Sequence, residues 1–134
     1  MHPQPQRTPV NQLTQEIIGA GIAVHRELGP GLLESAYQQC MRQELTLRGI
    51  PFQCEVPIPL KYQGVRLECG YRLDLLVANT IVVEVKAIEA LAPIHEAQLL
   101  TYLRLGGWHI GLLMNFNVVL LKDGIRRRVL GLKE

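Results

Sequence analysis

Two acids and a lysine stand out in the segment YRLDLLVANTIVVEVKA, residues 71–87: Asp74, Glu84 and Lys86. Leu73, Leu75 and Val77 alternate with Arg72, Asp74 and Leu76, and Ile81, Val83 and Val85 alternate with Val82, Glu84 and Lys86. Alternation with period two predicts two strands, each with one apolar face. For both apolar sets to share a face the connecting loop must be odd-membered, most simply Ala78-Asn79-Thr80. That register sets Asp74 opposite Glu84, with Lys86 two residues along. Opposed residues of an antiparallel pair stand roughly 4.5–5.5 Å apart at Cβ, and like charges there destabilise the sheet. Two such carboxylates raise each other's pKa or bind a divalent cation between them. A lysine at their rim can hold or deprotonate a water, or steady a growing negative charge. The alternative is a solvated sheet face on which Lys86 merely neutralises Glu84.

The surrounding chain supplies the elements that carry these residues. A helix is predicted over 11–28, on the stripe Leu13, Ile17, Gly21, Val24 and Leu28, with Asn11 or Thr14 as cap and Gly29-Pro30-Gly31 as its end. His25 within it reads as a hydrogen-bonded structural histidine. A second helix over 32–48 has Leu33, Ala36, Tyr37, Cys40 and Met41 on its apolar side, and Glu34 in a first turn that favours an acid. A strand over 53–62 follows, turned by Gln63-Gly64 into a long strand over 65–77. That turn pairs Leu60 with Leu67 and Glu55 with Arg72, the latter as an ion pair. Three strands then present one continuous apolar face that includes Cys54 and Cys69, while Pro57 and Pro59 mark the first strand as an edge. A third helix over 93–105 opens on Pro93 and ends at Gly106-Gly107. Its His95, Gln98 and Tyr102 share one side, a polar face unless they serve a site, and Leu99 and Leu103 can pack on the sheet. Strands over 108–114, 118–122 and 125–130 close the chain, the last two joined at Asp123-Gly124. Arg126, Arg127 and Arg128 form the only dense basic run. It reads first as an edge strand guarded against aggregation and second as a phosphate contact.

Composition sets the outer limits. The 134 residues suit one core, with a loose, polar, proline-rich tail over 1–10 and a single domain over 11–134,. That start does not read as a secretory leader, and no apolar run reaches the roughly 18 residues of a membrane span. Three cysteines without CxxC spacing point to reduced thiols and a cytoplasmic protein,. A formal charge of +2 permits nucleic-acid binding through a local patch without arguing for it,.

Asp74 followed by Glu84-Val85-Lys86 resembles the D…ExK core of the PD-(D/E)xK nuclease superfamily, with Leu73 where the family name has proline. Gly31-Leu32-Leu33-Glu34-Ser35-Ala36-Tyr37, together with the preceding 24–31, resembles the signature of the small GxxExxY proteins of that superfamily. Gln98-Leu99-Leu100-Thr101-Tyr102 is similar to the QxxxY motif of RecB-type nucleases. The resemblance covers about 14–122. It implies an α/β (α+β) restriction-endonuclease-like core, a mixed sheet of about four to six strands flanked by helices in the order α-α-β-β-β-α-β-β. It also implies a magnesium- or manganese-dependent deoxyribonuclease that attacks by activated water without a covalent intermediate. Asp74 and Glu84 would bind the metal, with the Val85 carbonyl and Glu34 completing the shell. Lys86 would serve the attacking water, Gln98 and Tyr102 would hold Lys86 or a phosphate, and His95 would add a phosphate contact. DNA is the implied partner, and pairing of two copies would double the surface. Two other readings stay open: a non-catalytic nucleic-acid-binding or protein-interaction module that kept the fold, and an enzyme for another phosphoester.

Overall fold

The computed structural model describes residues 9–131. Helices α1 (Val10–Leu28) and α2 (Glu34–Leu47) form where the apolar spacing predicts them. Leu13, Ile17, Ala20, Gly21 and Val24 give α1 one buried stripe, and Tyr37, Met41 and Leu45 give α2 another,. The start of α1 differs from expectation. Pro9 precedes the first turn and its carbonyl accepts from Leu13 N at 2.8 Å. Asn11 lies inside the helix, and Thr14 Oγ1 donates back to the Val10 carbonyl at 2.9 Å, so neither caps it. Of the expected N-terminal tail, residues 1–8 lie outside the described residues.

Seven strands follow: β1 (Phe52–Pro57), β2 (Leu60–Tyr62), β3 (Val65–Leu67), β4 (Arg72–Val77), β5 (Ile81–Lys86), β6 (Ile110–Asn115) and β7 (Ile125–Val129). Helix α3 (Pro93–Gly106) connects β5 to β6. Five strands form a mixed sheet in the order β1-β4-β5-β6-β7, and β2 pairs with β3 in a separate hairpin. Only β5 and β6 run parallel, as their helical crossover requires,. Helices α1 and α2 cover one face over Leu75, Val77, Ile81, Val83, Val85, Ile110, Leu112 and Met114. The other face packs Leu76, Val82 and Leu113 against Leu99 and Leu103 of α3. This is the predicted mixed sheet flanked by helices, with β1 an edge as Pro57 suggests. No helix among the described residues is long and apolar enough to cross a membrane.

Four local expectations need correction. The long strands over 53–62 and 65–77 are each broken. The tip keeps its register, Leu60 opposite Leu67, but Arg72 lies opposite Pro57 rather than Glu55. The slip of two residues preserves side-chain parity, so the pattern alone could not reveal it. Second, the three strands do not share one apolar face. Val56 and Leu73 join the α3 side while Leu75 and Val77 join the α1–α2 side, and β1 is interrupted between these sets by Glu55 at φ 53°. Third, Cys54 and Cys69 are exposed rather than core. Cys54 sits on an edge strand, and Cys69 lies in the irregular stretch that the slip creates. Fourth, 118–122 form no strand. A 3₁₀ turn, Leu121–Gly124, leads into β7, which pairs directly with β6. Gly124 is needed there for proximity rather than for a hairpin turn. A Cβ on it would stand 2.2 Å from the Asn115 carbonyl oxygen.

Candidate active site

The hairpin from β4 to β5 has the predicted three-residue loop. Val77 pairs with Ile81 and Leu75 with Val83, and Ala78 and Asn79 take left-handed φ values of 52° and 55°. One residue further along that register Asp74 faces Glu84, and here side chains take over from the backbone ladder. Asp74 N donates to Glu84 Oε2 at 2.9 Å, and Val85 N donates to Asp74 Oδ2 at 2.8 Å. Each carboxylate thus bridges to the opposite strand where the backbone ladder stops.

The electrostatics follow from burial and proximity. Glu84 is 5 % exposed. Desolvation first, and the Asp74 charge next, push its carboxyl up to about 8, against the Asp74 amide and Lys86, which pull it down,. Asp74 is likewise raised by burial, opposed by the Val85 amide, Lys86, Gln38 and Arg42. Glu34, the first residue of α2, is raised by burial and by Asp74, and is drawn the other way by Lys86 and the Ala87 amide. So the structure brings together all four residues expected to be catalytic: Asp74, Glu84, Glu34 and Lys86.

The donor set fits a hard divalent cation. Each carboxylate commits one oxygen to a strand amide, and the second oxygen of each can face an ion that would relieve their mutual repulsion. Among the described residues no group of three His, Cys, Asp or Glu side chains stands at ligand spacing. A two-carboxylate site completed by water and substrate oxygen is the arrangement that suits magnesium.

Expected positioning residues divide. Tyr102 is raised by burial and by the charges of Glu84, Tyr71 and Asp74, which puts it beside the acids. Gln98 lines the same cleft. His95 serves its own helix instead. Its Nδ1 accepts from Ala92 N at 2.9 Å while its own amide donates to the Ala92 carbonyl, capping α3. The three arginines lie on β7, across β6 from the acids. Arg126 donates to the carbonyls of Asp123 and Ile125, Arg127 reaches Asn11 Oδ1 at 3.5 Å, and Arg128 is ion-paired with Glu96.

Several residues that support the site were missed from the sequence. Gln38 and Arg42 continue the Glu34 side of α2 at four-residue steps, a spacing that was available as a signal. Gln38 Nε2 reaches Glu34 Oε2 at 3.5 Å, and both Gln38 and Arg42 act on Asp74. Asn115, 1 % exposed, holds the segment that leaves Lys86: its amide pairs with both N and O of Ile88 at 3.0 Å. Tyr37 is fully buried and stacks on Phe116, with ring centroids 4.6 Å apart. Its hydroxyl donates to the Gly29 carbonyl at 2.5 Å and accepts from Leu32 N at 3.1 Å, fixing the loop that presents Glu34. His25 Nε2 bonds the Val118 carbonyl at 2.8 Å, as a structural histidine should.

No curated protein and no solved structure matches the chain significantly. A family model described as the PD-(D/E)XK nuclease superfamily does match, over residues 11–128, from inside α1 to near the end of β7. With an acid pair and a lysine on adjacent central strands and that span of agreement, the chain belongs to the PD-(D/E)XK nuclease superfamily and has its restriction-endonuclease-like α+β fold.

Proposed function

We propose that this chain is a magnesium- or manganese-dependent nuclease that hydrolyses phosphodiester bonds of DNA, of the GxxExxY kind within its superfamily. The observation that carries the reading is the parting of β4 and β5 at Asp74 and Glu84. Two carboxylates there are held above their ordinary range next to Lys86 and Glu34. Such a concentration of buried like charge is costly unless a ligand offsets it.

Asp74 and Glu84 would hold the cation, with the Val85 carbonyl as a further oxygen donor and Glu34 reaching it through water. Once bound, the ion supplies charge stabilisation for the phosphate oxygens and acidifies water. Lys86 orients the attacking water toward phosphorus, on the side away from the leaving oxygen. A new P–O bond forms from water, the P–O bond to the leaving nucleotide breaks, and the released oxygen takes up a proton. Gln98 and Tyr102 position the strand from α3.

Calorimetry with Mn²⁺ and Mg²⁺ on wild type, Glu84→Ala and Lys86→Ala, followed by incubation with labelled single-stranded, duplex and branched DNA and RNA, tests this. Wild type should bind the ion and cut DNA. Glu84→Ala should lose both, and Lys86→Ala should keep the ion and lose cutting. Absence of divalent-ion binding by wild type with DNA present would sink the catalytic reading and leave a binding module.

A further inference from the structure

Beside the acids, α3 and the base of the β2–β3 hairpin enclose a cleft of about 370 Å³. Leu60, Tyr71, Ile94, Gln98, Thr101 and Tyr102 line it. The Tyr71 and Tyr102 rings are tilted by 49°, with centroids 6.2 Å apart, and Tyr71 is 48 % exposed. Flat aromatic walls with an amide and a hydroxyl at the edge match a planar heterocycle that has apolar faces and a hydrogen-bonding rim. The hairpin continues the groove. Leu60 and Leu67 are paired on the same face as Tyr62 and Val65, and Tyr62 is 67 % exposed. The opposite face sets Lys61 directly across from Arg66, both exposed, with the Glu68 carboxylate 3.9 Å from the Arg66 guanidinium. An aromatic cleft continued by an apolar, aromatic hairpin face is the chemistry that takes the bases of a nucleic-acid strand turned out of their stack. A duplex keeps those base faces stacked inside and cannot offer them.

We propose that the cleft takes an unpaired nucleobase, stacked on Tyr71, and that the preferred substrate is therefore single-stranded DNA. What is cut rests on the nuclease reading above; what is bound does not.

The test uses the full chain with Ca²⁺ in place of Mg²⁺, titrated into a short DNA strand carrying one 2-aminopurine. The same strand in a duplex is the comparison. Wild type should quench the probe and bind the strand at least roughly tenfold more tightly than the duplex. Tyr71→Ala should weaken strand binding roughly 5- to 100-fold, the range for losing one base–aromatic stack. Tyr71→Phe should stay within about twofold. Equal affinity for strand and duplex, no DNA binding by wild type, or unchanged binding by Tyr71→Ala overturns the inference. So does a concentration-dependent dimer that Tyr62→Ser abolishes, because a second copy would then occupy the groove. The wild-type comparison decides the matter even if a variant fails to fold. The two readings fail separately. Cutting of the single strand by Tyr71→Ala at the wild-type rate sinks the base cleft alone. Tyr71-dependent strand binding without cutting in Mg²⁺ or Mn²⁺ sinks the nuclease alone.

Discussion

Glu84 carries the sharpest consequence for behaviour in solution. Its carboxyl titrates at about 8 in the fold, against 4.5 for the ordinary group. Between those values the folded chain holds a proton that the unfolded chain releases. Stability from this group is therefore fully present below the lower value and is lost as pH rises through the upper one, by up to about 1.4 kcal/mol per unit. Thermal melts without divalent cation should shift downward from pH 5 to pH 8. Glu84→Gln keeps a side-chain oxygen for the Asp74 amide and removes the charge. It should flatten the pH dependence and at pH 8 exceed wild type by on the order of 1–3 kcal/mol. A steeper pH dependence in the variant would contradict this account. Bound cation acts the other way round, on the charged form. At a hundred times its Kd it should stabilise wild type by about 2.7 kcal/mol. Asp74→Asn should lose most of that increment in the same melts.

The elements explain why these side chains meet. The loop before α2 is held by Tyr37, whose hydroxyl serves a carbonyl and an amide at once. Tyr37→Phe keeps the stack on Phe116 but strands both groups, and should cost about 1–3 kcal/mol in denaturant unfolding. It should also lower cutting, since Glu34 follows the same loop. Gly124→Ala drives a methyl into the Asn115 carbonyl and should cost about 1–3 kcal/mol, with Lys86 losing its fixed neighbour segment,. These supports show where the sequence was readable and where it was not. Asp74, Glu84 and their three-residue loop followed from alternation, because a one-residue slip would have put Leu75 and Val77 on the opposite face from Ile81, Val83 and Val85,. The two-residue slip between β1 and β4 had no such penalty and left no trace. Asp123-Gly124 looked like a hairpin because the motif is local, whereas the demand on Gly124 comes from a carbonyl nine residues earlier. Tyr37 was legible as part of an apolar side, yet its stack on Phe116, like the Asn115 hydrogen bonds to Ile88, joins segments that only the tertiary structure brings together.

For the molecule as a whole, charge is modest and scattered. Arg72 adjoins Tyr71 in the chain and the Lys86 charge acts on both acids, while Arg66 lies 3.9 Å from Glu68 and Arg128 is paired with Glu96. Two phosphate contacts predict a slope of log K against log salt of roughly −1.4 for a single strand. Affinity measured across a salt series checks this, and a slope of about −3.5 would bring the three β7 arginines into the contact,. The sheet itself separates duties. Its α1–α2 face is closed core, and the acids lie where the two central antiparallel strands part.

That parting has a bearing on how descendants of this chain would decay. Asp74 and Glu84 supply hydrogen bonds that stand in for a missing rung between β4 and β5. A copy freed from selection for cutting would still be under pressure to keep an acceptor oxygen at each position, as Glu84→Gln does, since folding needs those oxygens. The Lys86 side chain gives the fold its charge, which offsets those of Asp74, Glu84 and Glu34. In a lineage comparison, loss of Lys86 together with the charges at 74 and 84, but not of the oxygens there, would be the early mark of a copy that no longer cuts.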